Sequence, residues 1–152
     1  MKTLPFLSTL TAATFLVAPG AAFAVDVQIT FQNLHASQNA TYSTLGSGEA
    51  YTYANANPPP DTTVPPGSSD VYVVGNPATD LVTGAHVRYT IGSKRCIFHT
   101  SYTGTPTYTP NGNVIIPNWT KSYESSGGAI CTATITYTNP STFDWAVTFT
   151  MK

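Results

Sequence analysis

The feature that most constrains this chain is a period of two. Val25, Val27, Ile29 and Phe31 alternate with Asp26, Gln28 and Thr30, and Val87, Tyr89 and Ile91 alternate with His86, Arg88 and Thr90. Cys131, Ala133, Ile135 and Tyr137 alternate with four threonines, and Phe143, Trp145, Val147 and Phe149 repeat the device near the end of the chain. Successive side chains of a strand point to opposite faces, so each segment reads as a strand with one dry face and one wet face. Threonine on the wet face suits a pleated surface because its β-branched side chain fits there. No window beyond residue 24 shows a sustained 3.6-residue apolar period, so no helix is expected.

Turn chemistry separates the strands. Gly46-Ser47-Gly48, Pro58-Pro59-Pro60-Asp61, Pro65-Pro66-Gly67, Gly92-Ser93 and Gly127-Gly128 each break the alternation. Gly92-Ser93-Lys94-Arg95 is short enough to join the Val87–Ile91 strand to the one carrying Cys96 and Phe98 as a hairpin. The expected fold class is all-β: an antiparallel β-sandwich of about seven to nine strands with one disulfide. A small barrel shares the same alternation. Residues 54 to 70, with five prolines, and residues 103 to 119 read as irregular loops.

The ends and the cysteines set the compartment. Lys2, the apolar stretches Leu4–Leu7 and Thr11–Val17, the break at Pro19-Gly20 and the small residues of Ala22-Phe23-Ala24 have the layout of a signal peptide cleaved after Ala24. A spanning helix wants about 20 predominantly apolar residues, and this stretch is interrupted by Thr, Ser, Pro and Gly. The expected organisation is a signal peptide, 1 to 24, and one domain, 25 to 152, secreted or periplasmic. Cys96 and Cys131 are the only cysteines, and in an oxidising compartment such a pair reads as a disulfide. Closing that loop stabilises by roughly 4 kcal/mol in the chain-entropy model.

Charge excludes some partners and composition points to others. Beyond residue 24, five Lys and Arg face seven Asp and Glu, which leaves no electrostatic footprint for nucleic acid. No cofactor is expected. His35, His86 and His99 lack the third convergent ligand a metal cage wants, although His86 and His99 share a face if their strands pair. Ser125-Ser126-Gly127-Gly128 lacks the Asp of a protease nucleophile loop, and no G-x-S-x-G elbow occurs. Asn39-Ala40-Thr41 and Asn118-Trp119-Thr120 match the glycosylation pattern, which acts only in a eukaryotic secretory pathway. With no catalytic residue singled out, the expectation is a non-enzymatic binding protein. Tyr102, Tyr108, Trp119 and Tyr123 sit in or beside the 103–127 region, where rings with an apolar body and a polar tip suit a binding or membrane surface. Lys94 and Arg95, at the expected hairpin tip, would add a basic contact to lipid or glycan.

One order of short motifs carries a resemblance. Val27-Gln28-Ile29-Thr30-Phe31-Gln32-Asn33 is followed by a Pro-rich stretch, then by Thr63-Val64-Pro65-Pro66-Gly67-Ser68-Ser69, then by Gly84-Ala85-His86-Val87-Arg88-Tyr89. This order resembles small secreted β-sandwich proteins of the aegerolysin and actinoporin-like kind. The resemblance implies a sandwich that binds membrane lipids, in some members as part of a pore-forming system. The alternatives to a lipid surface are a carbohydrate-binding module, with rings lined up against sugar faces, and a structural subunit that assembles by strand exchange.

Overall fold

Each alternating segment becomes a strand, and the strands form two packed sheets. The structure, a computed structural model, describes residues 25–76 and 79–152; the signal peptide expected over residues 1 to 24 lies outside the described residues. Ten strands and one helix follow in the order β1 (Asp26–Asn33), β2 (Ala40–Tyr42), α1 (Ser47–Asn55), β3 (Ala56–Asn57), β4 (Thr63–Val64), β5 (Ser69–Gly75), β6 (Val82–Ile91), β7 (Lys94–Thr109), β8 (Gly112–Ser126), β9 (Cys131–Thr138) and β10 (Trp145–Met151). One sheet runs β3-β5-β1-β10-β9 and the other β4-β2-β6-β7-β8, so the fold is a β-sandwich.

The alternation read from sequence is the burial pattern in most strands. In β9 it fails at Tyr137, expected inward but 55% exposed, because the pairing with β10 shifts register between Ala146, opposite Tyr137, and Val147, opposite Ile135. Val27, Ile29 and Phe31 of β1, Val147, Phe149 and Met151 of β10, and Val87, Tyr89 and Ile91 of β6 are all buried between the sheets. Rings interlock across the gap: Phe31 stacks on Tyr89 with centroids 3.5 Å apart, and Phe98 stacks on Phe149 at 4.6 Å. Such pairs add about 1 kcal/mol each beyond the area they bury. Cys96 of β7 and Cys131 of β9 form the disulfide, with Cα atoms 5.9 Å apart, and it joins one sheet to the other. β6 and β7 make the expected hairpin, with Ile91 opposite Lys94 and Gly92 at φ 57°, a left-handed conformation that costs glycine little.

Three expectations need correction. First, the pairing is not wholly antiparallel: β1 and β10 lie parallel, with Val27 opposite Trp145, so the first and last strands meet inside one sheet. Alternation is identical in parallel and antiparallel strands, so it carries no trace of direction. Second, residues 103 to 119 are not a loop. They are the far ends of β7 and β8, two long strands joined at Pro110-Asn111. Gly104, Pro106 and Pro117 sit inside a ribbon instead of ending it. The 54–70 segment likewise contains β3 and β4 as well as the end of α1 and the start of β5.

Third, the chain has a helix. The buried residues of α1 are Glu49 and Thr52, three apart on one face and both polar. Arg88 Nη2 of β6 lies 2.8 Å from Glu49 Oε1, the Tyr42 hydroxyl donates to the Glu49 carbonyl at 2.9 Å, and the His86 amide donates to Thr52 Oγ1 at 2.9 Å. The Glu49 contact is an ion pair by distance, without a well-directed hydrogen bond to either carboxylate oxygen. Gly48 lets the helix approach β6 closely, since a Cβ there would collide with His86 Nδ1. A helix docked by polar groups leaves no apolar 3.6-residue stripe to read.

Candidate functional site

β7 and β8 outrun their neighbours. The last β6–β7 pair is Val82 with Thr103, and the Gly104 amide still donates to the Leu81 carbonyl at 2.7 Å. From residue 105 to residue 116 the two strands pair only with each other. Five residues of extended chain reach about 17 Å, so a two-stranded arm projects from the end of the sandwich. Its sequence favours this: Thr105, Thr107, Val114, Ile115 and Ile116 are β-branched. At the tip Thr109 Oγ1 donates to the Gly112 carbonyl at 2.7 Å, and Gly112 takes the positive φ of 119° that the return requires.

The arm is apolar and free of formal charge. No Asp, Glu, Lys or Arg occurs from residue 96 to residue 120. Tyr108 is 85% exposed, and Ile116 and Val114 are 52% and 46% exposed. Paired residues share a face, so Thr105, Thr107, Val114 and Ile116 form one side and Pro106, Tyr108, Asn113 and Ile115 the other. The second side continues the core-facing side of β7, carried past the point where anything packs against it.

Both edges of the arm carry a proline. The Gly104 amide points away from β8 toward Leu81, so Gly104 and its partner Pro117 form a pair that exchanges no ladder bonds. Pro106 with Ile115 is the next pair of that kind along the ribbon. The nitrogen of each proline therefore faces the open edge, where a donor would otherwise invite another strand.

A buried aromatic cluster anchors the arm. Tyr102 packs on Phe143 with centroids 5.4 Å apart, on Trp119 at 5.9 Å and on Trp145 at 6.1 Å. Trp119 Nε1 donates to the Phe143 carbonyl at 3.1 Å, and Trp145 Nε1 donates to Thr100 Oγ1 at 2.9 Å.

The six residues singled out from sequence as binding groups do not form one surface. Tyr102 is fully buried and is withdrawn from the set. Trp119 is partly buried against the core, its indole N–H already engaged. Tyr108 stands on the arm. Tyr123 is half exposed, but it lies opposite Phe98, ten residues along β8 from the level of Tyr108, or about 30 Å. Lys94 and Arg95 open β7 at its other end, roughly 45 Å from Tyr108. The parity of β7 already carried the sign for Tyr102: with Cys96 and Phe98 inward, every second residue onward, Tyr102 included, faces inward too. Sequence reasoning missed the exposed Val114 and Ile116, whose signal was their place in a stretch without charge.

The two histidines do share a face. His86 and His99 are directly opposed, with ring centroids 6.0 Å apart. Burial, and then the neighbouring His86, lowers the proton affinity of His99. Glu49 Oε2 lies 3.9 Å from His86 Nδ1. Among the described residues no group of three or more His, Cys, Asp or Glu is placed to hold a metal ion. No family model, curated protein or solved structure matches the chain, so its own geometry is what bears on function.

Proposed function

We propose that the protein is an exported binding protein that docks on a membrane-lipid surface through the β7–β8 arm. The observation that carries this reading is the projecting ribbon with exposed Tyr108, Val114 and Ile116 and no formally charged residue. Moving a charged side chain into a bilayer costs several kcal/mol, and the arm has none to move. Each apolar side chain it presents contributes about 25 cal/mol per Å² removed from water. Tyr108 suits the headgroup level, where an apolar ring with a polar tip is favoured.

The backbone sets the depth. A lone ribbon has two open edges, and unpaired N–H and C=O groups cannot enter hydrocarbon without a large cost. The arm, at about 17 Å, is also shorter than the 9 to 11 residues a spanning strand needs. The reading is therefore an arm that dips into the interface, with Tyr108 on one side and Val114 and Ile116 on the other both meeting lipid. The aegerolysin and actinoporin-like resemblance, itself still a proposal, points the same way.

The other readings find less support. A sugar-binding platform wants several coplanar rings, and Tyr108 stands on the arm without the neighbours the sequence promised it. Assembly by strand exchange wants open edges, and Pro106 and Pro117 blunt both. The test is co-sedimentation of the full domain with phosphatidylcholine vesicles, with and without anionic lipid. Binding should fall at least about tenfold in Ile116→Asp. A tryptophan placed by Tyr108→Trp should shift blue on vesicle addition, while Trp119, already packed, should change little. No co-sedimentation with either vesicle would remove the proposal.

A further inference from the structure

The end of the sandwich away from the arm has a second feature. On the outer face of the β4-β2-β6-β7-β8 sheet lies a cleft of about 500 Å³ whose walls include Thr41, Ser43, Thr44, Arg88, Thr90 and Arg95. Thr41, Thr90 and Arg95 are cross-strand neighbours in one row over β2, β6 and β7. Arg88 is two residues along β6 from Thr90 and so projects from the same face.

The Arg88 guanidinium is held in place, and Arg95 reaches the cleft from an exposed position. The Arg88 side chain is four-fifths buried, anchored from the helix side by Glu49 Oε1 at 2.8 Å, and its buried Nε has no hydrogen-bond partner among the described residues. Arg95 Nε donates to Ser126 Oγ at 3.1 Å. The hydroxyls of Thr41, Ser43, Thr44 and Thr90 make no hydrogen bond to another described residue, so they can turn toward a guest.

Charge supports an anionic guest. Glu49 offsets Arg88 from behind, which leaves Arg95 as the uncompensated cation of the cleft. Glu124 is the nearest carboxylate in register, opposite Ile97 on β8, and it forms no ion pair with Arg95 among the described residues. A guanidinium presents its donors as a rigid fork that matches an oxyanion edge. The Arg95 fork on β7, the Arg88 donors not turned to Glu49 on β6, and hydroxyls on a third side surround a tetrahedral group better than a planar carboxylate, which one fork satisfies.

We infer that this cleft binds a tetrahedral oxyanion, the phosphate or sulfate group of an ester. Nothing in this rests on the arm, which lies at the opposite end of β7.

Isothermal titration calorimetry of the full domain with sodium phosphate and sodium sulfate, against chloride at matched ionic strength, tests it. Saturable binding should appear with phosphate or sulfate and not with chloride. Arg95→Gln and Thr90→Val should weaken it about tenfold, the loss expected for a charge-assisted hydrogen bond. Both variants leave the Glu49–Arg88 pair intact, so a folded protein is expected, and circular dichroism checks it. Phosphatidylglycerol vesicles separate the sources. Vesicle affinity lost in Arg95→Gln assigns the ester to a lipid headgroup. An unchanged vesicle affinity with a lost phosphate response assigns it to a soluble ester. Absence of saturable heat with both oxyanions, or equal binding by wild type and Arg95→Gln, overturns the site.

Discussion

The two ends of β7 are built on opposite chemistry. At one end β7 and β8 project alone, with no charged residue between positions 96 and 120. At the other, Lys94 and Arg95 open the strand, and Arg88 lies nearby under a helix that holds it through the buried Glu49. The apolar end is stiffened by an aromatic cluster in which the partly buried Trp119 and Phe143 pack on the buried Tyr102 and Trp145. The polar end is stiffened by an ion pair that has been taken out of water. The lesson is that one strand serves two surfaces when its partners stop at different places. The side chains at each end then answer to different surroundings.

The largest effect should come from breaking the polar end. Glu49→Ala leaves Arg88 four-fifths buried and unpaired, and removing one partner of a buried pair costs about 3 kcal/mol. Urea denaturation should show that loss. Vesicle binding by the folded fraction should be unchanged, because Glu49 meets β6 at Arg88, opposite Ile97, eight residues along β7 from the start of the arm. A loss of stability under about 0.5 kcal/mol would mean that the pair does not hold the helix.

Breaking the apolar end should do the reverse. Ile116→Asp sits on an exposed position, so stability should move by less than about 0.5 kcal/mol. Vesicle partitioning should fall by about 2 kcal/mol, roughly thirtyfold. Tyr108→Ala should follow with a smaller loss of about 1 kcal/mol in the same assay, since it removes one interfacial ring without adding a charge. Equal losses for the two variants would indicate that charge at the arm matters less than area.

The smallest effect is a pH dependence. Burial, with His86 beside it, makes the His99 imidazole harder to protonate than the ordinary value of 6.5. The unfolded chain therefore takes up that proton at a higher pH than the folded domain does. His99 contributes its full stability above the ordinary value, and the contribution is lost as pH falls below it. Asp26 and Asp70, whose carboxyl groups burial holds above their ordinary range, act in the opposite sense and are common to both proteins compared. Denaturation midpoints of wild type and His99→Gln, measured at about pH 7.5 and about pH 5, should show a shallower acid decline in the variant. Parallel declines would assign the sensitivity to other groups.

Much of the fold was legible because its signal is local. The alternation of Val27, Ile29 and Phe31, or of Val87, Tyr89 and Ile91, needs only the pleat of a single strand. The turn at Gly92-Ser93 is a property of those residues and their immediate neighbours. The pairing of Cys96 with Cys131 followed from there being two cysteines and an expected oxidising compartment. The candidate site was less legible. Pro106, Pro110, Gly112 and Pro117 read as loop punctuation, yet in a two-stranded ribbon the outward-facing nitrogens of Pro106 and Pro117 break no ladder bond. The cleft was illegible because Thr41, Arg88 and Arg95 come together only through pairing of β2, β6 and β7.

The sequence by itself determined that the chain forms strands, which side chains face inward in β1, β6 and β10, and that one disulfide staples the result. Those outcomes depend on backbone geometry and on composition, which every short segment carries. Only the tertiary structure decided that β1 lies parallel to β10, that a polar helix covers part of β6, and that Tyr108, on the same side of β7 as the buried Tyr102, stands in solvent. Each of these depends on where a neighbouring strand begins, ends and points. A strand's own residues do not encode that, because the hydrogen-bonding edge of a backbone is nearly the same whatever side chains it carries.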